Sequence, residues 1–95
     1  MRELVKKYGR NIGLNLKVVR IFAYQLLRAL SHMRACSVLH ADIKPDNILT
    51  DATQRIIKIC DFGSAMLAGD NEITPYLVSR FYRSPEVILG LKYGE

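Results

Sequence analysis

From Asn15 onward, apolar residues recur at Val19, Phe22, Ala23, Leu26, Leu30 and Met33, the i, i+3, i+4, i+7 spacing of one long amphipathic helix. Asn15 is suited to cap it, because its side-chain oxygen can accept from a free N–H of the first turn. Upstream, Glu3 to Tyr8 reads as a short helix with Leu4 and Val5 on one side, Gly9 placed to end it in a left-handed conformation, and Gly13 marking a turn. Downstream the period changes. Ile48 to Thr50 and Ile56 to Cys60 are β-type runs, and the polar Asp51-Ala52-Thr53-Gln54 between them predicts a hairpin. From Ser64 to Ser84 no period is sustained, and Pro75 and Pro85 act as breakers. Pro85-Glu86-Val87-Ile88 has the form of a first helical turn, with proline early and an acid beside it.

The elements therefore predict an α+β unit, and composition limits its size. With 95 residues and 49% hydrophobic content, the chain can form at most one small core. No repeat, low-complexity run or linker divides it, so residues 1–95 read as one unit of doubtful independent stability. A net charge of +5 suggests acidic partners, yet Lys6, Lys7, Arg10, Lys17, Arg20 and Arg28 are scattered rather than blocked together. A solvated helical face is the expectation, with no direct nucleic-acid binding. Cys36 and Cys60 lack CxxC spacing and lie in or beside apolar runs, so both are expected to be reduced, buried thiols, with neither a disulfide nor a zinc site. His32, near the end of the long helix, suits the helix dipole and has no evident metal partner. The apolar runs fall far short of the ~20 residues of a membrane span, and Met-Arg-Glu-Leu lacks the apolar segment of a signal peptide. A soluble, non-secreted protein is expected.

The chemistry concentrates on the loops that flank the predicted hairpin. Val38-Leu39-His40-Ala41-Asp42-Ile43-Lys44-Pro45-Asp46-Asn47-Ile48-Leu49 sets an acid, a base and an amide within six positions before a strand. It resembles the protein-kinase catalytic loop, H-R-D-L-x-x-x-N. Cys60-Asp61-Phe62-Gly63 resembles the DFG turn, and Ser84-Pro85-Glu86 stands where that family has A-P-E. As isolated acids, Asp42, Asp46 and Asp61 would be ordinary turn residues. Turn chemistry does not explain Lys44, Asn47, Phe62 and Gly63 at fixed offsets from them, and three motifs in order make the resemblance specific.

The resemblance implies a protein-kinase-like fold, here a fragment of the C-terminal lobe built from long helix, catalytic loop, β-hairpin, DFG turn and activation segment. It also implies roles, because phosphoryl transfer needs positioning and charge neutralisation more than covalent help. Asp42 would be the catalytic base and Lys44 would place its ammonium near the transferring phosphate, with Lys44-Pro45 pointing to the serine/threonine subtype. Ser79 matches the hydroxyl residue that bridges that acid and lysine. ATP and Mg²⁺ are the implied cofactors. Asn47 and Asp61 would supply the metal's oxygen ligands, and Leu49 and Cys60 match positions that floor the adenine pocket, although ordinary core packing would explain those two equally well. His40 and Phe62 match positions that pack against each other behind the site, and Gly63 would lend the turn its backbone freedom.

Tyr76-Leu77-Val78-Ser79-Arg80-Phe81-Tyr82-Arg83 is similar to activation segments of the CMGC group of kinases. Tyr76 matches the regulatory tyrosine there, and Arg80 and Arg83 match arginines that hold its phosphate, which carries about −1.5 to −2 charges. Within the group, His40-Ala41-Asp42-Ile43-Lys44-Pro45-Asp46-Asn47 and Thr74-Pro75-Tyr76 look like the pre-mRNA-processing kinases of the spliceosome, relatives of the dual-specificity tyrosine-regulated kinases. That family implies protein substrates among splicing factors and a nuclear, otherwise cytoplasmic, location. Two residues depart from the general kinase pattern. Ala41 replaces the arginine before the catalytic acid, a substitution that the splicing kinases share and that removes a clamp for an activation-loop phosphate. Ser84 replaces alanine, small for small.

Nothing in the chain resembles the glycine-rich loop over the phosphates, the strand lysine or the helix glutamate that holds it. Residues 1–95 are thus expected to be the middle of a kinase domain, without the N-terminal lobe and most of the helical C-terminal lobe. The isolated polypeptide is expected to have negligible activity. The alternative is a noncatalytic truncated or pseudokinase-like interaction module. Small-molecule phosphotransferases with a similar loop are disfavoured, because they lack the segment from Ser79 to Glu86.

Overall fold

The computed structural model describes residues 1–8, 12–69 and 77–95. Gly9 and the Ile73-Thr74-Pro75-Tyr76 stretch lie outside the described residues. Helix α1 spans Arg2–Tyr8, with Glu3 in its first turn and Lys6 and Lys7 in its last, the charge order that the helix dipole favours. Only Leu4 of its apolar pair is buried; Val5 faces solvent. Helix α2 spans Leu16–Ala35. The Asn15 side chain caps it, accepting from the Lys17 N–H at 2.9 Å. At its other end the N–H of Cys36 bonds the carbonyls of His32 and Met33, and Ser37 (φ 55°) takes the left-handed conformation that lets the chain turn away.

The inward face of α2 is rotated about one position from the predicted stripe. Val19 and Ala23 are exposed, whereas Val18, Phe22, Gln25, Leu26, Leu30 and Met33 face inward, an i, i+4, i+7, i+8 series of its own. The hydrophobic period alone could not choose between the adjacent valines; packing of the hairpin against the helix does. The predicted thiol burial also fails at Cys36, which is exposed because it sits in the turn beyond the helix, where its Sγ lies 3.8 Å from His32 Nε2 on the outer face. Cys60 is half-buried.

Four short strands follow: β1 (Val38–Leu39), β2 (Ile48–Thr50), β3 (Ile57–Ile59) and β4 (Met66–Leu67). β2 and β3 form the expected antiparallel hairpin, pairing Ile48 with Ile59 and Thr50 with Ile57. Its second strand is shorter than predicted at both ends. The Ile56 N–H is claimed by the Asp51 side chain in the loop, and the Cys60 N–H bonds Asn47, which precedes β2. The β1–β4 pair, Val38 with Leu67 and Leu39 with Met66, was not evident from pattern, since two-residue strands carry no readable period. Helix α3 (Pro85–Ile88) begins at proline and buries Val87.

The core is a cluster of Leu4, Phe22, Ile48 and Ile57, with Leu14, Val18 and Leu26 packed against it. It fastens α1 and the hairpin to α2. On its other side α2 borders an open groove of about 620 Å³, lined in part by Leu27, Leu30, Met33, Val38 and Val87. Among the described residues, no helix is long and apolar enough to cross a membrane.

Candidate active site

Strand β1 delivers His40 into the interior at 3% exposure, between the end of α2 and the hairpin. Both of its ring nitrogens are committed. Nε2 lies 2.9 Å from the Cys60 carbonyl, and Nδ1 accepts from the Asp42 N–H at 3.2 Å. A carbonyl can only accept and an N–H can only donate, so these partners fix the neutral tautomer with its proton on Nε2. The ring also meets Phe62 edge-on, centroids 4.8 Å apart and planes at 63°. His40 therefore joins the loop that carries Asp42 to the turn that carries Asp61.

Ala41 (φ 68°) bends the chain so that Asp42 emerges beside the hairpin. Pro45 then opens a tight turn, Pro45–Asn47, closed by the Asn47 N–H on the Lys44 carbonyl at 2.9 Å. This turn aims Asn47 inward, where its Nδ2 donates to the Asp42 carbonyl at 2.8 Å and to Asp42 Oδ2 at 3.0 Å. Lys44 Nζ reaches the same Oδ2 at 3.2 Å. Both side-chain donors thus converge on one oxygen of Asp42, Oδ2, and neither of them engages Oδ1. From α1, Arg2 pairs with Asp46 at 3.1 Å and ties that helix to the turn.

Asp61 follows β3 and is exposed, in a left-handed conformation (φ 62°) that its short polar side chain tolerates. The backbone freedom expected of Gly63 is therefore used two residues earlier. Gly63 donates its N–H to Asp61 Oδ1 at 3.3 Å, and a Cβ there would lie 3.2 Å from that oxygen, so the Asp61 side chain would have to shift by a few tenths of an ångström. The Cys60 N–H bonds the Asn47 carbonyl at 2.9 Å, so the backbones before Asp61 and after Asp42 are joined directly. Leu49 is 57% exposed, so core packing does not account for it.

Asn47 and Asp61 offer an amide oxygen and a carboxylate, a hard donor pair that fits Mg²⁺, which takes one or two protein oxygens and completes its shell with phosphate and water. Among the described residues no cluster of three or more His, Cys, Asp or Glu could hold a metal by itself, so a softer, fully protein-bound ion does not fit.

Ser79 is not joined to Asp42 or Lys44 by a hydrogen bond; those two contact each other instead. It precedes the turn Arg80–Tyr82, in which its carbonyl accepts from the Tyr82 N–H at 2.8 Å. Arg83 Nε donates to the carbonyls of Leu77 and Val78 at 3.1 and 3.0 Å, and Val78 holds φ 64°. Arg80 stacks over Phe81 at 5.4 Å. Tyr76, the expected partner of both arginines, lies outside the described residues.

Gln25 was passed over in the sequence. It is the polar member of the inward face of α2, and its amide binds the outer edge of the hairpin: Oε1 accepts from the Ile57 N–H at 2.9 Å and Nε2 donates to the Arg55 carbonyl at 2.7 Å. A polar residue interrupting an apolar helical stripe was the available signal.

The loop that carries Asp42, together with an amide and a second acid held on one hairpin, is the arrangement of the protein-kinase class. The protein kinase domain family model matches residues 1–95, and the chain belongs to that family. Within it, the chain is similar to serine/threonine-protein kinase prp4 of Schizosaccharomyces pombe, 58% identical over 94 residues, which are 99% of this chain and 20% of that protein. It is likewise 58% identical over 93 residues to serine/threonine-protein kinase prpf4B of Dictyostelium discoideum, 98% of this chain and 12% of that protein. Protein kinase gsk3 of S. pombe is 47% identical over 74 residues, 76% of this chain and 19% of that protein. The chain thus spans a fifth or less of the length of these relatives.

Proposed function

We propose that these 95 residues are the middle of a serine/threonine kinase domain, from its C-terminal lobe, and that the protein carrying them moves the γ-phosphoryl group of ATP to protein hydroxyls. The observation that carries this reading is the convergence of Lys44 and Asn47 on a single oxygen of Asp42. The pair restrains the carboxylate and leaves Oδ1 for the substrate hydroxyl. As that hydroxyl oxygen bonds to the γ-phosphorus, the bond to the β,γ-bridging oxygen breaks, ADP leaves, and Asp42 receives the hydroxyl proton. Lys44 lies where its ammonium can follow the charge from carboxylate to phosphoryl oxygens. Asn47 and Asp61 would hold Mg²⁺, which when bound neutralises phosphate charge. Leu49 and Cys60 would lie against the adenine.

Arg80 and Arg83 would answer phosphorylation of Tyr76, Arg83 by ordering Leu77 and Val78 next to it. Ser79 would join Asp42 and Lys44 once substrate is in place. Similarity to the Prp4 kinases supports splicing proteins as substrates and a nuclear location. Alone, the 95 residues lack a cover for the phosphates and would be inactive.

The test uses the full-length protein with Asp42→Asn. ATP-dependent transfer to a protein substrate should fall by about 10³-fold or more, within the range that a positioned base supplies, while the fold and nucleotide binding persist. Equal transfer by both proteins would overturn the assignment. Absence of transfer by the parent protein, with partner binding that survives both Asp42→Asn and Asp61→Asn, would make the chain an interaction module.

A further inference from the structure

We propose that Gln25 is a positioning residue for the hairpin that carries Asn47 and Asp61, fixing its place along α2 and so supporting their approach to the base Asp42; the proposal rests on the kinase reading above. The argument starts from what holds the two halves of the site. Asn47 and Asp61 ride together, because the β2–β3 ladder and the Cys60–Asn47 bond at 2.9 Å join their backbones. Asp42 is tied to them by the Asn47 amide and, through His40, to the Cys60 carbonyl, and it reaches α2 by another route. It follows β1, which packs on α2 and pairs with β4 rather than with the hairpin. Helix α2 thus supports both strands beneath these bonds, and what fixes the hairpin on α2 sets the frame in which the bonds form.

Apolar contact does this only loosely. Phe22, Ile48 and Ile57 pack without direction, and the same area would be buried after a small slide of the strand along the helix. The Gln25 amide supplies the missing direction. On either side of β3, the Ile56 carbonyl and the Cys60 N–H turn toward Asp51 and Asn47, which flank β2, so the Ile57 N–H points to the outer edge. There Gln25 Oε1 accepts from it at 2.9 Å, and Gln25 Nε2 donates to the Arg55 carbonyl at 2.7 Å. One side chain thus occupies two successive edge groups as a third strand would, and a two-stranded hairpin is marginal without such support. Nε2 also reaches the Ile21 carbonyl of its own helix at 3.4 Å, which restrains the amide's rotation.

The test compares Gln25→Met, which keeps the length and loses both bonds, with Gln25→Glu, which keeps the acceptor for the Ile57 N–H and loses the donor to Arg55. In the full-length protein, well below its melting temperature, Gln25→Met should raise the half-saturating Mg²⁺ concentration by about tenfold, the lower end of the cost of losing an outer partner of a metal site. Gln25→Glu should recover part of that loss. A purely structural residue would lower the melting temperature and leave the Mg²⁺ dependence unchanged. A second readout needs no activity: amide hydrogen exchange in Gln25→Met should quicken at Ile57 and from Cys60 to Gly63, with β1 unaffected. Parental Mg²⁺ dependence in Gln25→Met, or exchange that quickens over all of α2 and β1 alike, would overturn the proposal. A parent protein that transfers no phosphate would instead overturn the kinase reading on which it rests.

Discussion

Between His40 and Asn47 the functional side chains restrain one another: His40 holds the Asp42 N–H, Asn47 and Lys44 hold its carboxylate, and the turn at Pro45 holds Asn47. The stretch Leu77–Val78 is secured differently, by a guanidinium that reaches back from Arg83 to two backbone carbonyls. The first arrangement is a closed network, in which each bond is supported by another. The second is a clamp on strained backbone. A β-branched residue at positive φ costs about 1–3 kcal/mol and persists only where surroundings enforce it, and Val78 sits at φ 64°. If the kinase reading holds, chemistry is preorganised at the first region, and the second, held by one side chain, bears on the protein substrate.

The largest effect should therefore come from opening the network. Asn47→Ala leaves Asp42 Oδ2 with Lys44 as its side-chain donor and removes one of the two oxygens proposed to hold Mg²⁺. Transfer by the full-length protein should drop by about 10²- to 10³-fold, the usual cost of losing one preorganised donor, with the loss in kcat. A loss confined to KM for the protein substrate would erase the contrast between the two regions.

Arg83→Ala should cost less and in a different quantity. It releases the Leu77 and Val78 carbonyls, so kcat/KM for the protein substrate should fall about tenfold, the equivalent of one charge-assisted hydrogen bond, while KM for ATP stays constant. Arg83→Lys should not restore it, because the bonds run from Nε, which lysine lacks. If ATP affinity moves as well, the two regions are one cooperative unit.

The same contrast governs what could be read in advance. The turn from Asp42 to Asn47 was legible because its contacts are local: Asp42, Lys44 and Asn47 meet within six residues, and no distant contact is needed to bring them together. The hairpin and α2 were legible from their periods. What escaped was set by contacts distant in sequence. The β1–β4 pair joins Val38 to Leu67, the helix face was chosen by hairpin packing, and Gln25 found its partners 30 and 32 residues away. Arg83 was read as a phosphate ligand for Tyr76, and its described bonds are to backbone carbonyls, which no residue pattern encodes.

The smallest effect concerns acid, and it separates the regions by position. In the hairpin loop the carboxyl of Asp51 is held down to about 2, first by the Thr53 hydroxyl and then by the Ile56 N–H, with the Arg55 N–H adding to it. At the other region Glu86 is also lowered, by its own N–H and the Ser84 hydroxyl. A carboxyl whose folded pKa is depressed contributes stability above its unfolded value, about 3.9 for Asp, and loses it as pH falls through the folded value. Acid should thus loosen the Asp51 loop between about pH 4 and pH 2, and protonation of Glu86 should begin to act on α3 in the acid range as well. Asp51→Asn divides the two. Its amide oxygen can still accept from Arg55 and Ile56 at neutral pH, yet it has no proton to gain, so amide protection at Arg55 and Ile56 followed by NMR should become flat across that window. Protection near Glu86 should keep its parental pH dependence. If Asp51→Asn also flattens the response near Glu86, acid is acting through a shared opening of the fold, and the hairpin loop and α3 are not independently held.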